Sequence, residues 1–350
     1  MLERYGWSDE LQAQFEPYAA RGLVPARVTV QQRGFLTLAS PLGELTAELA
    51  GRFSFEAEAG AYPVVGDWVA VAARPEEGSA TIHNVLPRKT AFIRKVAGTA
   101  IAEQVIAANV ETAFLVTSLN ADLSLRRLER YLTTAWESGA QPAIVLTKAD
   151  LCDDVESAVF DVESIAYGVP VHPVSALTGR GLDDLRSYLQ PGRTVVLLGT
   201  SGVGKSTLVN TLAGAELLAT QPIREDDGRG RHTTSHRELV LLPGGGLILD
   251  TPGMRELGLW DASEGVSGAF EDVEALFADC RFNDCAHGAE PDCAVRAALA
   301  EGTLDSTRWE SYVKLQRELA HLERKGDPRA MTAERKKWIQ RSKAHRTTVW

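Results

Sequence analysis

The sequence predicts three domains of different class: a small N-terminal β-barrel, a central α/β domain built around a phosphate-binding loop, and a C-terminal, mostly helical domain closed by a metal site. Three observations predict this. Short runs of alternating apolar residues recur between residues 25 and 90. From about residue 105 to 260, apolar strands alternate with helical stretches around the run Gly199-Thr-Ser-Gly-Val-Gly204-Lys205-Ser206. Three of the four cysteines, with one histidine between them, fall within residues 280–293.

A chain of 350 residues has room for three domains, and its 44% hydrophobic and 24% charged residues are ordinary for a globular protein. No apolar run approaches the ~18 residues needed to span a bilayer. The first residues, Met1 to Trp7, lack the basic and apolar regions of a signal peptide. The expectation is a cytoplasmic chain without a membrane partner, and its four cysteines then argue against a disulfide framework. No heptad pattern suggests a dimer, so a monomer is expected. Residues 1–24 read as a loose leader. In the expected barrel, 25–95, strands are placed at 26–30, 35–38, 45–49, 64–71 and 81–86, with turn signals at Ser40-Pro-Leu-Gly43 and Pro75-Glu-Glu-Gly78. Five short strands in so few residues suit an OB-fold. An SH3-like barrel gives much the same pattern.

The expected central domain covers 96–262. Its strands are placed at 112–117, 143–146, 171–174, 194–198 and 247–249, and its helices at 125–137, 182–189 and 205–213. The apolar run before Gly199 and the helical run after Gly204 give the strand–loop–helix setting of a P-loop. Backbone N–H groups from Gly199, Gly202, Val203, Gly204 and Thr207 wrap the phosphates, and Lys205 reaches the β/γ oxygens. The Ser206 hydroxyl ligates Mg²⁺, and the helix N-terminus adds its dipole. Asp250-Thr-Pro-Gly253 supplies a carboxylate for a magnesium-bound water and an N–H for the γ-phosphate. Between the two motifs, Gly228-Arg-Gly-Arg-His232-Thr233-Thr234 reads as a switch loop that orders with nucleotide or partner, Thr234 meeting Mg²⁺.

Thr147-Lys148-Ala149-Asp150 and Ser175-Ala176-Leu177 read guanine. Asp150 accepts from the N1–H and N2 amino groups, which adenine lacks; Lys148 lies along the base; the Ala176 N–H meets O6, with Ser175 holding the turn. Both follow apolar strands, at the sheet edge where α/β proteins bind ligands. They precede the P-loop, although in an ordinary GTPase they follow it. The central unit is therefore a P-loop G domain in circularly permuted order. Thr147 stands where the usual residue is Asn, which removes an amide that ties this loop to the P-loop; weaker affinity with intact guanine preference is expected. Met254 occupies the place of the glutamine that orients water in Ras-like enzymes, so intrinsic hydrolysis should be slow. His232 is the internal candidate for directing that water, the alternative being a surface loop histidine. Lys205, Thr234 and His232 are thus the candidate catalytic residues.

Cys280, Cys285, His287 and Cys293 form Cys-x4-Cys-x-His-x5-Cys. Three thiolates and an imidazole match a closed structural Zn²⁺ site without a position for reactive water. Buried apolar cysteines or a redox pair are the alternatives, and Cys152 reads as a packing residue. The metal staples a helical segment, 263–350, that ends in a basic tail. From Arg329 to Trp350 there are seven Lys/Arg against one acid, Glu334, giving +6 for the tail and −16 for the remainder of a chain of net charge −10. Such asymmetry suggests an arm for a polyanion, the alternative being a solvated helix end.

Together these residues resemble the circularly permuted, ribosome small-subunit-dependent GTPase family of the RsgA/YjeQ type. The markers are the permuted order, Val65-Gly-Asp-Trp68, Gly-Arg-His-Thr-Thr at 230–234, Asp-Thr-Pro-Gly-Met-Arg-Glu at 250–256 and the Cys/Cys/His/Cys spacing. The resemblance implies an OB-fold, a permuted G domain and a zinc-binding domain. It also implies late maturation of the 30S subunit, 16S rRNA contacts through barrel, zinc domain and tail, and GTP hydrolysis to GDP stimulated by the subunit. Residues 250–260 run directly into the zinc domain, so loss of the γ-phosphate is expected to reorient it. Two alternatives remain at this point: a nucleotide-gated RNA-binding module with incidental hydrolysis, and an ordinary P-loop ATPase or kinase.

Overall fold

The computed structural model describes residues 1–32, 34–51, 53, 60–96, 102–120, 123–218, 237–250, 263–288 and 290–326. His232, Thr234, Gly253, Met254 and the tail from Arg329 lie outside the described residues.

The leader is not loose. Ser8 caps the helix Asp9–Ala19 by accepting from the Leu11 N–H. The spacing of Leu11 and Phe15 buries one face of that helix. Trp7 stands edge-on to Trp68 at 4.9 Å, and Phe15, Trp68 and Leu86 complete a small core beneath it. Sequence reading missed this because an 11-residue amphipathic stretch with an internal proline gives little signal without its partner surface.

Five strands follow: β1 (Val24–Gln31), β2 (Leu36–Ser40), β3 (Gly43–Leu49), β4 (Trp68–Arg74) and β5 (Ser79–Val85). β1 pairs with both β2 and β4, β4 with β5, and β5 runs parallel to β3, so the ring closes in the order β1-β2-β3-β5-β4. The parallel β3–β5 pairing requires a crossover that a simple meander lacks. It gives the OB-type barrel and sets the SH3-like alternative aside. A two-stranded hairpin, β6 (Ala91–Val96) and β7 (Ala102–Ala108), lies across the expected barrel boundary at 95/96.

The central sheet has β8 (Thr112–Ser118), β9 (Gln141–Thr147), β10 (Val171–Pro173), β11 (Thr194–Leu198) and β13 (Leu247–Asp250) parallel, in the order β10-β9-β8-β11-β13. β12 (Arg237–Leu241) returns antiparallel on β13 and pairs at Val30–Glu238 and Gln31–Arg237 with β1. The barrel and the central domain therefore share one 11-stranded sheet. Seven fully or nearly buried residues of β8 form its centre. The C-terminal domain packs on the helix Leu125–Glu137 chiefly through Ser263–Ala269, with Glu271–Ala275, Ala294–Glu301 and the long helix Ser306–Gly326 sharing the same core.

Candidate nucleotide and metal sites

The chain leaves β8 toward β9 and β10 on one side and returns to β11 on the other. The switch point lies between the carboxyl ends of β8 and β11, where open α/β sheets bind ligands. The loop that leaves β11 begins at Gly199, where a Cβ would stand 2.3 Å from the Val116 carbonyl oxygen of β8. Only glycine permits that approach. Gly204 begins the helix Lys205–Ala213 at φ +94, a left-handed conformation that aims the first helical N–H groups across the loop. The Lys205 ammonium donates to the carbonyls of Gly199 at 2.8 Å and Thr200 at 2.6 Å. It thus spans the loop it closes.

The base motif reaches the same loop. The Thr147 hydroxyl lies 2.5 Å from the Val203 carbonyl and 3.2 Å from that of Thr117. Its single proton goes to the nearer acceptor. The expectation that threonine loses the tie between the two loops is corrected: the hydroxyl is short, but the loops approach closely enough for it to make the tie. Lys148, at φ +58, adds a hydrogen bond from Nζ to the Gly202 carbonyl at 2.9 Å. Asp150 follows in the turn Ala149–Leu151, exposed to solvent. On the neighbouring β10 edge, Ser175 is buried and its Oγ accepts from the Thr178 N–H at 3.2 Å, fixing the turn that carries Ala176. Asp250 ends β13, beside the phosphate-loop strand. The structure thus brings Thr147, Lys148, Gly199, Gly202, Val203, Gly204 and Lys205 together, and puts Ser206 and Thr207 in the first helical turn.

In the C-terminal domain the ligand atoms of Cys280, Cys285, His287 and Cys293 all lie within 4.8 Å of one another, a set able to hold a metal ion. His287 Nδ1 is 3.6 Å from the sulfurs of both Cys280 and Cys293. Phe277 stacks on the His287 ring at 4.3 Å and Trp309 meets its edge at 5.8 Å, so aromatic walls set the imidazole's direction.

Two buried arginines escaped sequence reading. Arg27 of β1 donates to the carbonyls of Tyr5, Gly66 and Asn109 and to the Thr194 hydroxyl at the start of β11. Burial pushes its pKa down to about 10, with Glu111 and Asp67 partly opposing. Arg308 bonds Glu129 at 2.9 Å, Asp272 at 2.8 Å and the Ala269 carbonyl at 2.6 Å, over the ring of Phe270. Arginine composition alone carried no signal for either. Asp67, in the Val65-Gly-Asp-Trp68 segment, is likewise structural: Arg88 grips both its oxygens at 2.8 Å and the Val64 N–H completes the set.

The family model of the RsgA GTPase matches residues 85–260. The chain is 50% identical over 347 residues to a small ribosomal subunit biogenesis GTPase RsgA of Opitutus terrae, covering 96% of this chain and 95% of the relative. It is 47% identical over 343 residues to the protein of the same name from Streptomyces coelicolor, covering 97% and 92%. This chain belongs to the RsgA GTPase family. Among solved structures it superposes on YjeQ from Thermotoga maritima with a TM-score of 0.65 at 29% identity, covering 85% of this chain and 99% of that one. YloQ, described as a circularly permuted GTPase, gives 0.63 at 25% identity, with 85% and 96% covered. The permuted RsgA order accounts for a base motif that precedes the phosphate loop in sequence and meets it in space.

Proposed function

We propose that this chain hydrolyses GTP in late maturation of the small ribosomal subunit, its turnover raised by that subunit. The observation that carries the reading is the double tie from Thr147 to Val203 and from Lys148 to Gly202, which joins a guanine-type motif to a P-loop at the sheet's switch point. The names of the relatives support the ribosomal partner.

In this reading Asp150 selects guanine, Lys148 lies along the base and the Ala176 N–H meets O6. Lys205 exchanges the Gly199 and Thr200 carbonyls for β/γ-phosphate oxygens, while N–H groups of Gly202 to Thr207 cradle the β-phosphate. Ser206, Thr234 and the carboxylate of Asp250 hold Mg²⁺, which neutralises the charge that develops on the phosphates. Gly253 meets the γ-phosphate and His232 orients the water. The Cys280, Cys285, His287 and Cys293 set holds one structural Zn²⁺. Ligand atoms around a tetrahedral zinc with three thiolates and one imidazole lie roughly 3.5–3.8 Å apart, which the 3.6 Å sulfur–nitrogen distances match. The barrel, the zinc domain and the basic tail contact 16S rRNA. The protein works in the cytoplasm as a monomer, its barrel and G domain meeting at the β6–β7 hairpin and its C-terminal domain covering 263–350. No helix among the described residues is long and apolar enough to cross a membrane.

The test is GTP and ATP turnover by the purified chain, with and without 30S subunits. Slow GTP hydrolysis raised sharply by the subunit, with ATP inert, is the expected result. Comparable ATP turnover would make the protein an ordinary P-loop ATPase, and absence of stimulation would remove the ribosomal partner.

A further inference from the structure

We infer that the seam between the helices Leu125–Glu137 and Ser306–Gly326 carries a binding site for a phosphate of the RNA backbone. The inference rests on the small-subunit reading above and adds a specific contact to it. A cavity of about 240 Å³ opens between the two helices. Arg126, Arg127, Arg130 and Lys314 line it, with Ser124 and Ser311.

The chemistry of that lining is one-sided. Among the described lining residues four cations face one carboxylate, Glu129, and Glu129 is already bonded by Arg308 at 2.9 Å. In a chain of net charge −10, a cationic concavity is not the average surface. Among the described residues, the carboxylates that meet Arg126 and Arg130 come from the rim. Glu310 reaches Arg126 only at 3.8 Å, both side chains being more than half exposed, while Glu318 pairs with Arg130 at 2.7 Å. Exposed pairs of this kind contribute little, so a doubly bonded phosphate oxygen pair displaces the weaker one at small cost. Ser124 starts its helix without a side-chain cap, so N–H groups of the first turn add donors of the same sign.

Size and place favour a polymer over a free nucleotide. Pockets that enclose a whole small molecule usually span ~300–1,000 Å³; this one is smaller, open and cationic, suited to one phosphate with its strand continuing outside. It also joins elements of two domains. A phosphate seated there bridges the helix that leaves β8 at the nucleotide edge to the helix that packs the metal cluster.

The test uses the full chain with Arg126→Gln and Lys314→Gln combined, both side chains being exposed. Arg130 is kept because it holds Glu318. Binding to 30S subunits is measured across a series of KCl concentrations, beside GTP turnover without subunits. The expected result is unchanged basal turnover, about five- to tenfold weaker binding at moderate salt, and a salt slope shallower by about one. Glu310→Gln, which frees Arg126, should tighten binding by about twofold. If the parent chain binds and the double variant keeps its affinity and slope, the phosphate site is overturned while the small-subunit reading stands. If the parent does not bind, that reading itself fails. Saturation by inorganic phosphate alone, seen in arginine side-chain resonances, together with unaltered 30S affinity of the double variant, would assign the cavity to a free anion and overturn the RNA assignment.

Discussion

The barrel reaches the central domain through backbone, whereas the C-terminal domain reaches it through side chains on one helix. β1 pairs with β12, so barrel and G domain share a sheet, and β12 follows directly on the switch segment. Arg27 adds a bond to Thr194, the first residue of the strand that ends in the phosphate loop. At the other seam Gly265 and Gly268 press against Thr133 and Trp136, and Arg308 bonds Glu129. The difference lies in the partners of the two buried guanidiniums: Arg27 bonds carbonyls and a hydroxyl, and Arg308 bonds two carboxylates. Arg27 thereby ties the barrel to the start of β11, the end of that strand away from the phosphate loop, and Arg308 ties the C-terminal domain to the helix that follows β8. A reorientation of the C-terminal domain alone would break the Arg308–Glu129 pair. A movement of the C-terminal domain that keeps this pair carries the helix Leu125–Glu137 with it.

The largest effect should come from Arg308→Ala. It leaves Glu129 buried without its cation, and breaking such a pair costs about 3–5 kcal/mol. Denaturant unfolding of the full chain should lose that stability or split into two transitions. Burial raises the pKa of Glu129, and Arg308 opposes that rise. A carboxyl with a raised folded pKa stabilises the fold when protonated, and that contribution disappears as pH climbs through it. Without Arg308 the shift widens, so the deficit of the variant is greatest at neutral pH and narrows as pH falls through the raised value. A deficit independent of pH would show that Glu129 is not the group left without its counter-charge.

Arg27→Met tests the other seam. The methionine removes donors from the Tyr5 and Asn109 carbonyls and from the Thr194 hydroxyl, while Gly66 keeps the amide of Asn109. The loss should be about 2–3 kcal/mol, since three acceptors lose a donor and the desolvation of the guanidinium is relieved. Asp67 keeps Arg88, the larger of its two cationic partners, so the acidic pH course of this deficit should be shallower than that of Arg308→Ala. Equal pH courses at the two seams would break the comparison.

The two seams also divide what was legible in the sequence. Residues whose chemistry is local were readable. The strand Thr194–Leu198, the helices Leu125–Glu137 and Lys205–Ala213, and the Cys280, Cys285, His287 and Cys293 cluster able to hold a metal all announce themselves through periodicity or spacing. Unreadable were the contacts between residues far apart: Arg27 with Thr194 is 167 positions distant and Arg308 with Glu129 is 179. An arginine reads as surface until its partners are known. The leader helix and the β6–β7 hairpin failed for the same reason, since the surfaces that cover them come from elsewhere in the chain. The fate of Thr147 turned on a distance between loops that no motif encodes.

A smaller effect is expected from Gly265→Ala. Its Cβ would stand 2.3 Å from the Thr133 carbonyl oxygen and 3.0 Å from the Glu137 Cβ. Because the neighbouring atom is helix backbone, the C-terminal domain must shift as a body, at about 1–2 kcal/mol. The helix packing of that seam, and not only its ion pair, then sets the stability of the C-terminal domain. Unchanged unfolding would place the whole link on Arg308.

Thr147→Val should be smallest for the fold, and it separates the site from both seams. Valine keeps the shape but cannot donate to the Val203 carbonyl, and one such bond contributes about 1 kcal/mol, or roughly fivefold in affinity. GTP binding should weaken by that factor, and Thr147→Ser should restore it. Thr147→Asn should also restore it, because the amide donates to the same carbonyl. Unfolding free energy should change little relative to the Arg27 and Arg308 variants. If valine binds GTP as tightly as the parent, the phosphate loop is held by Lys148 and Gly202 alone, and the hydroxyl is only a buried polar group satisfied by its nearest carbonyl.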